Sequence, residues 1–419
     1  MNDLYFTALT EALHEAEICT PTLVLDKERL DRNIDHLIDV LNKGFDYRLV
    51  TKSLPSIPLL QYIMRRTGSQ RLMCFHLPFL LQIVNQIPSA DILMGKPLPI
   101  RAARHFYNWH KKQTSSMCFS PDLQLQWLID SPRRLAQYDQ FARDNNLTMR
   151  VSLEIDVGMH RGGFHNSSEF IAALQIIQSS EHLMLTGLMG YEAHIPHIPG
   201  ILGGARRAFA DARGRYSNFL QAVESELGKE ALEDLTLNTG GSSTYAMYTD
   251  NSFVSEIAAG SALVKPKNYD VDTLEHHIAA AYIAAPVLKK VDRPEIPLSP
   301  ALSAILRWTG FLPAKGAFIY GGNWLAKPVY PRETEQVHLH GRSSNQELYG
   351  FPKDTMIDED DFIFLRPTQS ESVFRQFGHM AIYENGKITD WWSVFQEEHN
   401  EGNSADSLLE SAQKRSYRL

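Results

Sequence analysis

Between residues 46 and 264, eight short apolar runs alternate with stretches whose apolar residues recur every three or four positions. The runs are Asp46 to Thr51, Arg71 to Phe75, Ala90 to Gly95, Gln124 to Asp130, Thr148 to Asp156, Leu183 to Tyr191, Leu235 to Thr239, and Glu256 to Val264. Between them lie segments such as SIPLLQYIMRRT, SPRRLAQYDQFARDN and SSEFIAALQIIQSS, which open on residues able to cap a helix. Short strands alternating with amphipathic helices are the mark of βα units wound into a parallel sheet. Eight units in about 215 residues favour a closed (β/α)8 barrel of the TIM type over an open sheet.

The chain has 419 residues, more than one such barrel needs. After about residue 265 the pattern changes: AAAYIAAPVLKKV, GAFIYGG, DFIFLRP and HMAIYENGKITDWW read as strands, with ENGK as a hairpin turn. The expected division is an α/β barrel over residues 20–265 and a mainly β domain over 266–419 together with 1–19. The TPTLVLD strand and the KERLDRNIDHLIDVLNK helix precede the first barrel unit, so the amino terminus is positioned to lend a strand to the β domain. The proline-rich stretch from Lys290 to Gly316 reads as a connection or insertion, and the polar tail from Gln396 to Leu419 as a surface helix.

Charge and composition exclude several classes of partner. Forty-one basic residues against 49 acidic ones give a net charge of −8, and no Lys/Arg block with interleaved aromatics is available to follow a phosphate backbone. Nucleic acid is therefore not expected as a partner. There is neither a run of about 18 apolar residues nor a basic-then-apolar leader, so no membrane association is expected and the expected location is the cytoplasm. Cys19, Cys74 and Cys118 lack CxxC spacing and read as reduced packing residues.

Lys52 ends the first barrel strand in DYRLVTKSLPS. In a parallel barrel that end is the catalytic face, and a partly desolvated lysine there can condense with an aldehyde cofactor. Gly240, Gly241, Ser242 and Ser243 close the seventh run, where barrel phosphate sites are commonly built from N–H groups and hydroxyls. In VSLEIDVGMHRGGF, Arg161 offers planar donors for a carboxylate or a phenolate oxygen, or is held by Asp156 as a structural loop residue. Tyr191 and His194 in GLMGYEAHIPH can hydrogen-bond a ring nitrogen or move a proton. His338 with His340 on a VHLH strand, and His194 with His197 across a turn, have ligand-like spacing but no third partner, and read as structural.

These motifs, in this order, resemble the D-threonine aldolase and D-serine dehydratase branch of the alanine-racemase-like, fold-type III pyridoxal-phosphate enzymes. The resemblance runs from TPTLVLDKERLDRNI to GKITDWW and covers most of the chain. It pairs Thr20, Pro21 and Arg32-Asn33-Ile34 with the family's opening strand and helix, and the Arg48 to Lys52 spacing with its Schiff-base lysine. It pairs Asp156, Val157, Gly158 and Arg161 with the motif whose arginine meets the cofactor's phenolic oxygen. Gly187, Tyr191, Glu192 and His194 match a further strand, Thr239, Gly240, Gly241 and Ser242 the phosphate loop, and Glu256, Gly260 and Ser261 the last segment, with Tyr269 and Asp270 beyond. Two departures stand out. Leu49 and Val50 replace the usual Pro-His before the lysine, and the Pro-Asn-His-x-Cys metal motif reads Pro367-Thr368-Gln369-Ser370-Glu371.

The resemblance implies pyridoxal 5'-phosphate bound through Lys52, with Arg161, Tyr191, Thr239, Gly240, Gly241 and Ser242 around it. It implies an alanine-racemase-like barrel with the β domain over its mouth, often across a homodimer. Gln369 and Glu371 in the metal positions leave a divalent metal undecided, with Mg²⁺, Mn²⁺ or Ca²⁺ suiting such donors better than zinc. The implied activity is a lyase on D-amino acids, foremost D-β-hydroxy amino acids, by aldol cleavage or by dehydration and deamination. Without the metal, His194 or Glu371 would have to serve as acid or base. The alternatives are an amino-acid racemase of the same fold, a non-catalytic pyridoxal-phosphate protein, and a barrel lyase that uses Lys52 without a cofactor.

Overall fold

The computed structural model describes residues 3–113, 118–295 and 299–396, so the expected tail helix lies outside the described residues apart from Gln396. A first helix, α1 (Asp3–Glu15), is followed by β1 (Thr22–Asp26) and α2 (Lys27–Leu41). Asp26 caps α2, its carboxylate accepting the Arg29 N–H at 2.9 Å. Asn33, buried in α2, donates to the carbonyls of Leu263 and Ile278 and accepts the Ile278 N–H. One side chain thus fixes the helix against the end of the barrel.

The barrel follows as eight parallel strands in a closed ring: β2 (Asp46–Val50), β3 (Arg71–Cys74), β4 (Asp91–Met94), β5 (Leu125–Ile129), β6 (Met149–Ile155), β7 (Leu183–Gly190), β8 (Thr236–Thr239) and β9 (Glu256–Ala259). Each lies within one of the eight runs read from the sequence, although the last run stops being strand at Ala259. The intervening helices bury one apolar face; in α3 (Ile57–Thr67) this is Ile57, Leu59, Leu60, Ile63 and Met64.

Inside the barrel lies an ionic layer. Arg48, fully buried, pairs with Glu256 at 2.5 Å and with Asp91 at 2.8 Å. Arg71 and Asn238 also reach Glu256, at 2.9 and 2.7 Å. A buried charge is costly unless paired and hydrogen-bonded, and this carboxylate is matched on both oxygens. The arginine four residues before Lys52 thus helps close the barrel between its first and last strands.

The second unit is a nine-stranded sheet. It contains β10 (Ala281–Val291), β11 (Lys315–Tyr320), β12 (Ala326–Tyr330), β13 (Glu335–Gln336), β14 (Gln346–Phe351), β15 (Phe362–Pro367), β16 (His379–Glu384) and β17 (Lys387–Ser393). β1 completes it, antiparallel to β10 and parallel to β16. The opening strand therefore lies in the β sheet, although a division at residue 20 counts it with the barrel. The turn between β16 and β17 has Asn385 and Gly386 at positive φ, 52° and 75°, as a two-residue hairpin requires.

One expectation gains detail and two need correction. The 290–316 connection contains a helix, Pro300–Trp308, besides the start of β11. His338 begins a single helical turn, so the strand on which it was to face His340 is absent. Cys74 is buried, but Cys19 and Cys118 lie exposed in connections between elements and are not packing residues; all three are free. Among the described residues, no helix is long and apolar enough to cross a membrane.

Candidate active site

The carboxyl ends of the barrel strands open into a cavity of about 420 Å³. Lys52 projects into it from a helical turn, Thr51–Ser53, directly after β2. The turn is held by the Thr51 hydroxyl donating to the Met73 carbonyl at 3.0 Å and by the Ser261 hydroxyl donating to that of Ser53 at 2.8 Å. The Lys52 ammonium lies 4.8 Å from the centre of the Phe75 ring and 3.9 Å from a Glu371 carboxylate oxygen, with its side chain 38% exposed. Burial pulls its pKa below that of a free lysine; Glu371 opposes the fall, while Arg161 and Lys96 add to it.

Two strands round the ring stands a polar concavity. Gly240, at φ +90°, follows β8, and a Cβ on Gly241 would come within 2.9 Å of the Tyr191 ring. The Ser242 hydroxyl accepts the Gly260 N–H at 3.1 Å. Beneath the loop, buried Glu192 accepts from the hydroxyls of Thr239, Thr244 and Tyr248 and from the Gly240 N–H. The N–H groups of Gly241 and Ser242 have no hydrogen-bond partner among the described residues, so the loop presents donors to the cavity.

A third wall follows β6. Burial alone would raise the Asp156 pKa, but the N–H groups of His160 and Gly158, each 3.0 Å away, and two imidazoles bring it down to about 2. The tight turn they make carries Arg161 to the mouth, its guanidinium 4.8 Å from the Tyr191 ring centre. Burial pushes the Tyr191 phenol up to about 12. Gly163 closes the turn at φ +88°, where a Cβ would lie 2.9 Å from the Glu154 carbonyl oxygen.

Lys52, Arg161, Tyr191, Gly240, Gly241 and Ser242 thus line one cavity. Thr239 lies below it, bonded to Glu192 and Tyr248. His194 is absent from the lining: it begins a helical turn after β7 and packs beside Gly158. Glu371 reaches the rim from the β domain, on a short helix after β15, and its second oxygen is buried without a hydrogen-bond partner among the described residues. The helix is anchored from β15, where Arg366 clamps Asp270 at 2.6 and 3.1 Å, beside Tyr269 in the cavity wall.

Three charged lining residues, Lys96, Asp130 and Glu154, belong to none of the motifs read from the sequence. Glu154 lies on β6, is 8% exposed, and has its carboxyl pKa raised to about 7 by burial, Arg161 opposing and Asp130 adding to the rise. A lone glutamate inside an apolar strand was the available signal.

The positions paired with metal ligands do not fit a divalent ion. Gln369 is exposed, and the Lys52 ammonium faces Glu371, where a second cation would be repelled. Among the described residues, the one group of three convergent donors is Asp156, His160 and His165, where both imidazoles already bond the carboxylate.

A (β/α)8 barrel with a lysine at its mouth, a glycine-rich donor loop after the seventh strand and a β sheet at the rim defines a class of protein. The chain belongs to the family described as alanine racemase, N-terminal domain, whose model matches residues 25–267. It is 21% identical over 260 residues to a 3-hydroxy-D-aspartate aldolase of Paracoccus denitrificans, a stretch covering 61% of this chain and 63% of that relative. Its fold is similar to that of D-threonine aldolase from Filomicrobium marinum, with a TM-score of 0.70 at 15% identity over 90% of this chain and 96% of that one. D-threo-3-hydroxyaspartate dehydratase from Delftia sp. HT23 gives a TM-score of 0.67 at 16% identity, over 91% of this chain and 98% of that one.

Proposed function

We propose that this chain is a pyridoxal-phosphate-dependent lyase acting on D-amino acids that carry a β-hydroxyl group. The observation that carries the reading is a half-buried amine and an open loop of N–H donors lining one cavity. Gly240, Gly241 and Ser242 would hold the phosphate, Arg161 the phenolic oxygen, and the Lys52 amine the aldehyde carbon. Two features support the fit: a Cβ on Gly241 would strike Tyr191, and the N–H groups of Gly241 and Ser242 are unpaired among the described residues. The names of the relatives agree in substrate class. When bound, pyridoxal phosphate supplies a conjugated ring that accepts the electron pair released at Cα.

The chain's own groups then move protons. With its pKa lowered by burial, Lys52 can hold or release a proton at Nζ beside Cα. Glu371 is within 3.9 Å of that nitrogen and its carboxylate is available for the β-hydroxyl proton. Taking it lets the Cα–Cβ bond break, giving an aldehyde and glycine. If Lys52 instead takes the Cα proton and Glu371, in its protonated form, gives a proton to the departing hydroxyl, water leaves, and hydrolysis of the released enamine by water, after tautomerisation, gives a keto acid and ammonia. His194 has no part in this scheme: it packs beside Gly158 and, unlike Glu371, makes no contact with Lys52.

The test is a panel of D-amino acids assayed for aldehyde, keto acid and the opposite enantiomer. Aldehyde or keto acid from a D-β-hydroxy substrate is expected. Formation of the enantiomer alone would make the protein a racemase, and no turnover of any substrate would remove the proposal. Because Gln369 is exposed and Glu371 faces the Lys52 ammonium, dialysis against a chelator is expected to leave turnover within about twofold.

A further inference from the structure

We propose that Lys96 is the residue that receives a carboxylate of the substrate, an inference that rests on the lyase reading above. Lys96 stands just after β4, the third of eight strands in a closed ring, while the donor loop follows the seventh. Third and seventh strands lie across the barrel from each other. An anion held at Gly240–Ser242 is therefore on the far wall from Lys96, and this lysine is free for a second anion. Arg161 leaves the fifth strand, where its guanidinium stacks on Tyr191, and Lys52 leaves the first, where it faces Glu371. Among the described residues, Lys96 has no ion-pair partner.

The segment that carries Lys96 is built to stay in place. A Cβ on Gly95 would come within 2.3 Å of the Phe75 ring, so only glycine lets that ring press against the backbone before Lys96. Pro97 follows and restricts φ. The Leu98 carbonyl accepts the hydroxyl of buried Tyr138 at 3.2 Å. Lys96 is exposed, and the acids in the wall do not pair with it: Glu154 lies on the fifth strand, and Asp130 accepts from the Ser131 hydroxyl. Lys96 and Lys52 are close enough for one charge to disfavour the other, so a carboxylate arriving beside them relieves repulsion and gains a charge-assisted bond.

Both the α-carboxylate and a side-chain carboxylate have this chemistry, and the experiment separates them. Lys96→Met keeps the length of the side chain and removes the charge. Calorimetric titration of the purified protein and of this variant uses four probes: D-serine, 2-aminoethanol, 3-hydroxy-D-aspartate and malonate. Malonate binding is expected to weaken about tenfold in the variant, and 2-aminoethanol binding to stay within twofold. An equal loss for D-serine assigns Lys96 to the α-carboxylate; a loss for 3-hydroxy-D-aspartate with D-serine unchanged assigns it to the side chain. Either outcome supports the proposal, and Lys96→Arg should restore part of the binding.

The proposal is overturned if the four probes weaken together, or if malonate is unaffected. Because malonate needs no amine chemistry, this arm decides on Lys96 even if the D-amino-acid panel shows no turnover. The two failures are thus distinguishable. Unchanged thermal unfolding of the variant separates lost binding from lost fold.

Discussion

Lys52→Ala is expected to lower turnover of any D-amino-acid substrate by about 10³-fold or more while leaving the fold intact. Removing a positioned proton-transfer group alone costs roughly 10²- to 10⁴-fold, and this amine is also the proposed attachment point of the cofactor. Stability should scarcely change. The side chain is 38% exposed and its nearest acid, 33% exposed, is 3.9 Å away, so the pairing that is lost is a weak one. Lys52→Arg should not rescue, since a guanidinium keeps its proton and cannot act as a nucleophile. The check is kcat for both variants beside their unfolding temperatures. A Lys52→Ala protein that retains activity within about tenfold would show that the mouth amine is not the reacting group, and the functional reading would go with it.

What could be read from the chain beforehand follows from the range of the interactions involved. The barrel was legible because each strand-helix unit writes its own local pattern, and all eight strands fall inside the runs read from periodicity. The donor loop and Lys52 were legible for the same reason: a parallel barrel gathers the carboxyl ends of its strands at one face. Long-range pairing was harder. β1 lies parallel to β16 across most of the chain, and nothing within TPTLVLD identifies that partner. β12 contains Pro328, and β14 contains Gly350, residues that weaken a strand signal, so both escaped notice.

At the site, spacing found the loops but not the direction of each side chain. His194 follows Tyr191 by three residues, yet it begins a turn that sets it beside Gly158, outside the cavity lining. Its ring has a lowered pKa through burial, which suits a neutral packing histidine. Lys96, by contrast, offered only a Gly-Lys-Pro at the end of an apolar run. Its meaning depends on its position across the ring from the donor loop, which closure of the barrel creates.

Glu154→Gln is expected to stabilise the protein above neutral pH and to remove a titration from its activity profile. Burial raises this carboxyl from 4.5 in the unfolded chain to about 7 in the fold. Below pH 4.5 both states hold the proton, and the favourable burial of the neutral acid is fully present. As pH rises through about 7 the folded carboxyl must ionise in its buried place, and that contribution is lost. The shift corresponds to about 3 kcal/mol by pH 8. The glutamine variant, neutral throughout, should therefore exceed the wild type by up to about 3 kcal/mol at pH 8 and match it near pH 4. Urea unfolding at the two pH values checks this; parallel stability curves would show that the carboxyl is not held in its neutral form. Substrate turnover should lose its inflection near 7 in the same variant, because the group changes charge within the cavity that Lys52 also lines.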